Sequence, residues 1–459
     1  MLKKTLKQIH EMVDGLNIIT DFESIIAAGV SIDSRNIEFN NLFIPLSGEH
    51  VDGHQYVEKA ISQGAVASLW QKDAGEPPAG LPVILVENTE KALQKLASAY
   101  RKQLNCKVIG VTGSNGKTTT KDMIAALLQT TYRIHKTSGN FNNHLGLPLT
   151  ILGIGEDTEV AVLEMGMSNR GEIAFLSTLA EPDLAIITNV GESHLLDLGS
   201  REEIANAKLE IVSGLKAGGT LIYQGDEPLL RDRIERDLTN LHVVSFGREN
   251  KNDLYPISII QNENSTSFEI NGDLGDPYTI PILGFHNVQN ALAAMLVAKL
   301  LRVNDANIRK GFESVRLTNM RMEMVEGAKG EKIINDAYNA SPTSMKAAIE
   351  LIESLSGFQA KYLVLGDMLE LGNQEKDYHV NIGKIIQSDE IDTVFTYGPL
   401  GHFIAEGARQ SFPADRVFSY DDKSALIADL KERTSLNDLI LVKASRGMKL
   451  EEIVQALQK

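Results

Sequence analysis

Residues 107–120, Lys-Val-Ile-Gly-Val-Thr-Gly-Ser-Asn-Gly-Lys-Thr-Thr-Thr, run from an apolar β-branched segment through a glycine-rich turn into a segment that favours a helix. A strand, a glycine loop and a helix N-terminus direct backbone N–H groups and the positive helix end toward phosphate oxygens. Lys117 can reach terminal phosphates, and the Thr118 hydroxyl can ligate Mg²⁺. The stretch therefore predicts an ATP site. The alternative is an ordinary strand-to-helix turn, because Val111 stands where the full phosphate-loop pattern has glycine. The predicted loop consists of Gly113, Ser114, Asn115, Gly116, Lys117, Thr118 and Thr119.

Length and composition limit the class of protein. A chain of 459 residues with 43% apolar residues is long enough for two or three domains. Its 45 basic and 61 acidic residues give a net charge of −16, which disfavours nucleic acid and acidic membranes as partners. A single cysteine, Cys106, excludes an intrachain disulfide framework, and we expect it to be a buried structural thiol. Without an apolar leader or a membrane-spanning run, we expect a cytoplasmic protein.

Strands and helices alternate along the chain and divide it into three predicted units. We place these units at residues 1–105, 106–317 and 318–459. The alternation predicts an α/β protein whose central unit has a mostly parallel, doubly wound sheet. Within that unit, residues 253–282 have a hairpin-like pattern, and residues 200–215 are predicted to form one helix. The last unit is predicted to be Rossmann-like, with strands over residues 332–335, 362–366, 393–397 and 439–443.

Two side chains follow buried strands of the central unit at the sheet edge where such folds bind ligands. Glu164 ends the apolar run 160–163, and His194 lies in the loop after another strand. Beside the phosphate loop, both suit an Mg²⁺ site; the alternatives are an ion-paired carboxylate and a structural histidine. Lys208 lies within a predicted helix, where a solvated lysine is the ordinary interpretation.

Further polar groups could contact a nucleotide. The amides of Asn287 and Asn290, at the start of an alanine-rich helix, could contact an adenine edge, or Asn287 could only cap the helix. In the third unit, Arg321 could neutralise a γ-phosphate, with a surface arginine as the alternative. The loop clusters 33–35 and 47–54 suit a nucleotide or sugar headgroup.

The chain also contains the motifs Gly-Asn-Phe-Asn-Asn (139–143), Asp-Ala-Tyr-Asn-Ala (336–340), Gly-Asp-Met-Leu-Glu-Leu-Gly (366–372) and Lys-Ala-Ser-Arg (443–446). Together with the residues above, these motifs resemble the Mur ligase family, the ATP-dependent amide-bond-forming ligases of peptidoglycan precursor synthesis, over essentially the whole chain. The resemblance implies three domains, with a central P-loop-type doubly wound sheet and a C-terminal Rossmann-like domain. Within the family, the chain looks most like the member that joins D-alanyl-D-alanine to UDP-N-acetylmuramoyl-tripeptide through an acyl phosphate. The Asp-Asn-Pro-Arg signature of the member that adds the third residue is absent.

The resemblance also implies roles for single residues. Lys117, Lys208, His194 and Arg321 would serve catalysis, with Lys208 carrying a carbamate that bridges a second Mg²⁺. The metal set would be Thr118, Glu164, His194 and Lys208. Nucleotide contacts would extend to Asn287, Asn290, Arg321 and Asp336. The peptide substrate would meet Asn140, Asn142, Asn143, Tyr338, Asn339 and Ser445, and its UDP part would meet Ser34, Arg35, Ser47, Asp52, Gly53 and His54.

The turn before Arg321 departs from the family pattern. Many Mur ligases have glycine in this position, whereas this chain has Thr318-Asn319-Met320. Asn tolerates left-handed backbone, so we expect Asn319 to replace that glycine.

Two alternatives to the dipeptide-adding ligase stay open at this point. One is a related ligase with another amino-acid acceptor, and the other is a phosphate-loop kinase or ATPase that does not join two substrates. Small-molecule substrates and a monomeric state are the expected partners and assembly.

Overall fold

The computed structural model describes residues 1–48, 51–262, 264–273 and 275–459. The first 105 residues form a four-stranded parallel sheet, in the order β3-β4-β5-β6, and a short antiparallel pair, β1-β2. The strands are β1 (Lys3–Thr5), β2 (Ile26–Ala28), β3 (Val30–Ser31), β4 (Leu42–Phe43), β5 (Ala67–Gln71) and β6 (Val83–Val86). The helices are α1 (Leu6–Met12), α2 (Val57–Ser62) and α3 (Thr89–Arg101).

The central part contains a six-stranded parallel sheet in the order β12-β11-β10-β7-β9-β8. Its strands are β7 (Lys107–Thr112), β8 (Ile134–Lys136), β9 (Val160–Glu164), β10 (Leu184–Ile187), β11 (Thr220–Gln224) and β12 (His242–Phe246). A small antiparallel sheet follows, with β13 (Pro256–Gln261), β14 (Thr266–Ile270) and β15 (Tyr278–Ile280). The helices are α4 (Lys117–Gln129), α5 (Gly146–Leu152), α6 (Glu172–Ala180), α7 (Leu195–Leu198), α8 (Arg201–Leu209), α9 (Pro228–Asp237), α10 (Phe285–Leu300) and α11 (Asp305–Glu313).

The central sheet is buried on both faces, as a doubly wound sheet must be. Successive residues of one strand point to opposite faces. Along β9, Ala161 and Leu163 pack in one hydrophobic cluster, and Val160 and Val162 pack in another. The predicted doubly wound parallel sheet is confirmed. The single helix predicted over 200–215 is wrong in its second half, because α8 ends at Leu209 and a 3₁₀ turn takes over.

The third part is a six-stranded sheet in the order β16-β17-β21-β18-β19-β20, parallel except for β16. Its strands are β16 (Glu323–Glu326), β17 (Lys332–Asp336), β18 (Lys361–Gly366), β19 (Thr393–Tyr397), β20 (Val417–Tyr420) and β21 (Leu439–Lys443). Its helices are α12 (Pro342–Ser354), α13 (Glu375–Ile385), α14 (Gly401–Ala408), α15 (Lys423–Arg433) and α16 (Glu451–Leu457). This is the Rossmann-like arrangement that the sequence predicts.

One hydrophobic core joins the first and central parts. Leu2, Leu93 and Tyr100 of the first part belong to the same buried cluster as Leu152 and Leu163 of the central part. Cys106 lies in this cluster, as the sequence predicts, and burial raises the pKa of its thiol. The third part has its own two clusters, and Leu283 of the central part joins one of them. The boundaries near 105 and 317 stay predictions.

The described helices include none that is both long enough and apolar enough to cross a membrane.

Candidate active site

The phosphate loop follows β7 and is held by the loop after β10. The Asn115 N–H donates to Asn189 Oδ1 at 2.9 Å, and the Gly191 N–H donates to Ser114 Oγ at 2.9 Å. The Thr188 hydroxyl donates to the Asn115 carbonyl at 2.6 Å. Since β7 and β10 are neighbours in the sheet, these bonds fix the loop to the carboxyl edge of the sheet.

Two glycines of the loop have no space for a side chain. A Cβ on Gly116, whose φ is +79°, would lie 2.4 Å from Asn290 Oδ1. A Cβ on Gly113 would lie 1.8 Å from Thr188 Oγ1. Both distances are far below a van der Waals contact, so the close packing of the loop requires glycine at these positions.

Lys117 begins α4 and bends back over the loop. Its Nζ donates to the Gly113 carbonyl at 2.8 Å and to the Ser114 carbonyl at 3.4 Å. Burial lowers the pKa of Lys117, and the nearby Glu164 carboxylate opposes that shift. The structure therefore places an amine at the phosphate loop that can exchange carbonyl partners for phosphate oxygens.

Thr118 and Glu164 form a pair of oxygen donors beside the loop. The Thr118 hydroxyl donates to Glu164 Oε2 at 2.9 Å, and Asn142 Nδ2 donates to Glu164 Oε1 at 2.9 Å. Carboxylate and hydroxyl oxygens suit Mg²⁺, which takes its other ligands from water and substrate phosphates. No group of three or more His, Cys, Asp or Glu side chains could hold a metal ion by itself in the described ranges. The donor set fits Mg²⁺ held jointly with a phosphate.

The contacts of His194 and Lys208 differ from those of Thr118 and Glu164. His194 has φ +63°, and its Nδ1 lies 2.9 Å from a Glu370 carboxylate oxygen of the third part. Lys208 is 1% exposed, and burial together with the charge of Lys117 sets the pKa of Lys208 well below its ordinary value. The solvated-lysine interpretation is wrong, because the side chain lies in the interior near Lys117.

Arg321 reaches the phosphate loop from the third part. Its Nη2 donates to Thr118 Oγ1 at 3.3 Å, and its guanidinium stacks over the Tyr338 ring at 3.9 Å from the centroid. Arg321 Nε is buried without a hydrogen-bond partner among the described residues. The surface-arginine alternative is wrong, because this guanidinium lines the cavity and bonds Thr118 directly after the phosphate loop lysine.

The left-handed backbone around Arg321 is not at Asn319. It lies at Met320, with φ +61°, and at Met322, with φ +51°. The Met320 N–H donates to Glu323 Oε2 at 3.0 Å, and the Met322 N–H donates to Asp336 Oδ1 at 3.1 Å. The expectation for Asn319 is wrong because these two carboxylates, and not residue type alone, decide where the chain turns.

Asp336 is held by a lysine that the predicted site residues did not include. Lys443, 2% exposed at the end of β21, has its Nζ 2.5 Å from Asp336 Oδ2 and donates to the Asn339 carbonyl at 3.0 Å. The sequence carried a signal for it, since Lys443 ends an apolar strand inside one of the motifs that resemble the family.

Asn287 and Asn290 lie on the first turns of α10. Asn290 Nδ2 donates to Asn287 Oδ1 at 3.1 Å, and Asn287 Nδ2 donates to the Leu283 carbonyl at 2.8 Å. Thr120 donates to Asn290 Oδ1 at 3.2 Å. Their amides are thus bonded within the protein and also border the cavity, and their contact with adenine stays a prediction.

These groups surround one cavity of about 570 Å³ between the central and third parts. The predicted residues that line it are Ser114, Asn115, Gly116, Lys117, Thr118, Thr119, Asn140, Asn142, Asn143, Glu164, His194, Asn287, Asn290, Arg321, Asp336, Tyr338 and Asn339. Gly113 and Lys208 do not line this cavity: Gly113 packs against Thr188, and Lys208 is buried near Lys117. Ser445 lines a separate cavity of about 90 Å³, which His194 and Asn339 also border.

The predicted UDP-binding residues lie outside both cavities, in two clusters. Ser47 Oγ donates to Asp52 Oδ1 at 3.2 Å, and His54 Nδ1 lies 2.6 Å from the same oxygen. In the second cluster, the Arg35 guanidinium bonds Asp33 and holds the pKa of that carboxyl at about 2. Gly53 lies in the first cluster and Ser34 in the second.

Three segments of the chain match known domain families. They are the "Mur ligase family, catalytic domain" over residues 27–101, the "Mur ligase middle domain" over 111–298 and the "Mur ligase, glutamate ligase domain" over 320–446. A Bacillus subtilis (strain 168) protein, UDP-N-acetylmuramoyl-tripeptide–D-alanyl-D-alanine ligase, is 54% identical over 457 residues, covering 100% of this chain and 99% of that protein. The chain belongs to the Mur ligase family.

Solved structures agree with this assignment. The crystal structure of MurF from Acinetobacter baumannii superposes with a TM-score of 0.89 at 28% identity, covering 100% of this chain and 99% of that one. MurF ligase from Thermotoga maritima in complex with ADP gives 0.80 at 29% identity, covering 94% and 97%. This Mur ligase is an ATP-dependent amide-bond-forming enzyme, so the alternative of a phosphate-loop NTPase without ligation is wrong.

Proposed function

We propose that this Mur ligase joins D-alanyl-D-alanine to UDP-N-acetylmuramoyl-tripeptide, and that the product serves peptidoglycan synthesis. The observation that carries the proposal is the 54% identity over the full chain to a ligase of that name. The cavity supports it, because the phosphate loop and Arg321 line the same space, of about 570 Å³, which would receive the nucleotide and a second substrate.

The first step activates a carboxylate. An oxygen of the peptide carboxylate attacks the γ-phosphorus of ATP, the bond to the bridging oxygen breaks, and ADP leaves. Two anions must approach each other in this step. Lys117, on the loop, and Arg321, from the third part, are the cations placed to stabilise the charge that develops on the phosphoryl oxygens.

The second step forms the amide. The deprotonated amine of the dipeptide attacks the acyl carbon, and the tetrahedral intermediate expels phosphate. We place the dipeptide toward the smaller cavity, where Ser445 and Arg446 lie beside His194 and where Ser193 Oγ is buried without a described partner. An anionic terminus would satisfy these donors.

Bound Mg²⁺ would neutralise phosphate charge, with Thr118 and Glu164 as its protein ligands. Lys208 supports the proposed carbamate chemistry. Burial lowers the pKa of Lys208, which favours its neutral amine, and only a neutral amine adds CO₂ to become an anion. His194 would need to leave Glu370 to act as a metal ligand. Cytoplasmic location and a monomeric state stay predictions of the sequence.

The test is ATP-dependent phosphate release with UDP-N-acetylmuramoyl-tripeptide, with and without D-alanyl-D-alanine, followed by the product mass. We expect phosphate release that requires both substrates. The product should be heavier than the tripeptide substrate by one D-alanyl-D-alanine unit, less one water. Release with another amino acid in place of the dipeptide would instead indicate a related ligase. Release without either substrate would contradict ligation.

A further inference from the structure

Asp122 joins the phosphate-loop helix to the segment that carries Arg321. Asp122 lies on α4, four residues after Thr118, and its side chain is 1% exposed. Its Oδ2 accepts the Thr318 N–H at 3.0 Å and the Thr318 hydroxyl at 2.8 Å. The bonded residues are 196 positions apart in the chain, and Thr318 precedes Arg321 by only three.

The Asp122 carboxylate is held as an anion. Lys136 Nζ lies 2.6 Å and Lys121 Nζ 3.5 Å from Asp122 Oδ1. Burial alone would raise the pKa of Asp122, but the two lysines and the Thr318 hydroxyl keep that pKa below its ordinary value. Hydrogen bonds to an ionised acceptor are the stronger kind, so Thr318 is fixed firmly to α4.

The segment between Thr318 and β16 is therefore fixed at both ends. Thr318 is bonded to Asp122 on one side, and the N–H groups of Met320 and Met322 are bonded to Glu323 and Asp336 on the other. Arg321 and Met322 of this short segment line the cavity, and Arg321 is the only charged side chain of the segment. The position of Arg321 relative to Thr118 therefore depends on the bonds between Thr318 and Asp122, which lies one helical turn after Thr118 on α4.

We propose that Asp122 and Thr318 are positioning residues that hold Arg321 at the γ-phosphate during phosphoryl transfer. Neither residue lines the cavity, so their effect on the reaction passes through Arg321. The inference rests on the proposed function, since turnover by the ligase is its main readout.

Thr318→Val tests the clamp formed by these two residues without removing the buried charge. The variant loses the hydroxyl bond to Asp122, and we expect kcat to fall about tenfold, the scale of one hydrogen bond to a charged group. The KM values for ATP and the peptide substrate should stay within about twofold, because ground-state contacts are unchanged. Thr318→Ser should restore kcat. Ser314→Ala, which loses a hydroxyl bond to the Gly311 carbonyl at the end of α11, four residues before Thr318, is the matched control and should behave as wild type.

A double-mutant cycle separates positioning from a general structural role. In an Arg321→Ala background, Thr318→Val should lower kcat by less than about twofold, because the side chain that it positions is gone. A full tenfold loss in that background would overturn the proposal, and so would a Thr318→Val enzyme with wild-type kcat.

Hydrogen exchange gives a readout that does not need activity. In the full-length protein, Asp122→Asn should speed exchange of the Thr318 amide at least about tenfold while the amides of β7 stay protected. Unchanged exchange at Thr318 would contradict the clamp even in an inactive enzyme. A wild-type protein that forms no amide product but protects this amide would contradict the proposed function alone.

Discussion

The central part of the enzyme meets its two neighbours in different ways. Toward the first part it shares a hydrophobic core, and Arg101 is buried against the Ala180 and Glu181 carbonyls at 2.6 and 3.1 Å. Toward the third part, Leu283 joins a hydrophobic cluster of that part, but the contacts around the cavity are polar. The Ser341 hydroxyl lies 3.3 Å from Asn115 Oδ1, Thr343 donates to Glu192 at 2.7 Å, and Arg321 donates to Thr118 at 3.3 Å.

Because of this difference, we expect the first boundary to determine stability and the second to affect catalysis. Burial of apolar surface stabilises the folded state by about 25 cal/mol per Å², and water cannot replace an apolar contact. A polar contact exchanges with water for a net change of only about 1 kcal/mol. Variants at the first boundary should therefore change the free energy of unfolding, and variants at the second should change turnover. A substrate that binds in the cavity can replace the polar contacts, which suits a site assembled by domain closure.

Lys117→Ala should produce the largest effect at the second boundary. Removing the cation from the phosphate loop should lower kcat at least about 100-fold, which is the typical loss when one donor that stabilises the transition state is removed. Steady-state phosphate release measures this, and the melting temperature should barely change. Lys107→Ala removes a lysine of β7 that is 61% exposed, and it should leave both quantities unchanged. Near-normal turnover of Lys117→Ala would contradict the assignment of the loop.

Lys208→Ala should lower kcat about 10- to 100-fold, the scale for groups that orient a metal site. If Lys208 carries a carbamate, small carboxylates such as formate should restore part of the activity by placing an anion in the vacated space. Phosphate release with and without formate measures this. Lys216→Ala, at a lysine that is 40% exposed, should need no rescue. Full activity of Lys208→Ala would mean that the lysine is only structural.

The sequence predicts the elements whose signal is local. Strands β19 and β21 are bounded as predicted, because each is a short apolar run between polar residues. Edge strands such as β16 escape prediction, since Glu323 and Glu326 give its four residues little apolar character. The central sheet and the Rossmann-like sheet could be predicted because alternating strands and helices admit few topologies.

The candidate site divides along the same line. The phosphate loop is contiguous in sequence, and its chemistry follows from residue type. The left-handed turn at Met320 could not be predicted from its own residues. It depends on the bonds that the Met320 and Met322 N–H groups donate to the Glu323 and Asp336 carboxylates. The contact between His194 and Glu370 joins residues of different parts of the chain, and no sequence period indicates it. Asp122 gave no local signal, because it ends the polar first half of α4, where a charged residue is ordinary.

Arg101→Met tests the first boundary. The substitution keeps most of the apolar stem but leaves the Ala180 and Glu181 carbonyls without their donor. We expect a loss of about 2 kcal/mol in the free energy of unfolding, measured by denaturant titration. Turnover at low temperature should be unchanged, because Arg101 lies away from the cavity. Arg133→Met, at an arginine that is 63% exposed, should cost less than about 0.5 kcal/mol.

Tyr100→Phe should have the smallest effect and makes the sharpest comparison. The Tyr100 hydroxyl donates to the Ile154 carbonyl at 2.8 Å across the first boundary, so its loss should cost about 1 kcal/mol. Tyr362→Phe removes a hydroxyl that donates to the Arg433 carbonyl at 3.3 Å within the third part.

Calorimetry of the two variants tests whether a shared core makes the first and central parts one cooperative unit. Multidomain proteins can unfold in more than one transition. If the core of Leu93, Tyr100 and Leu152 unfolds together, Tyr100→Phe should shift a transition that belongs to both the first and central parts. Tyr362→Phe should shift another transition, because the third part contributes none of its own residues to that core. ADP should raise the first transition, since most of the phosphate loop's contacts lie in the central part. If both variants shifted one common transition equally, the polar boundary would be as cooperative as the apolar one, and the contrast between them would not hold.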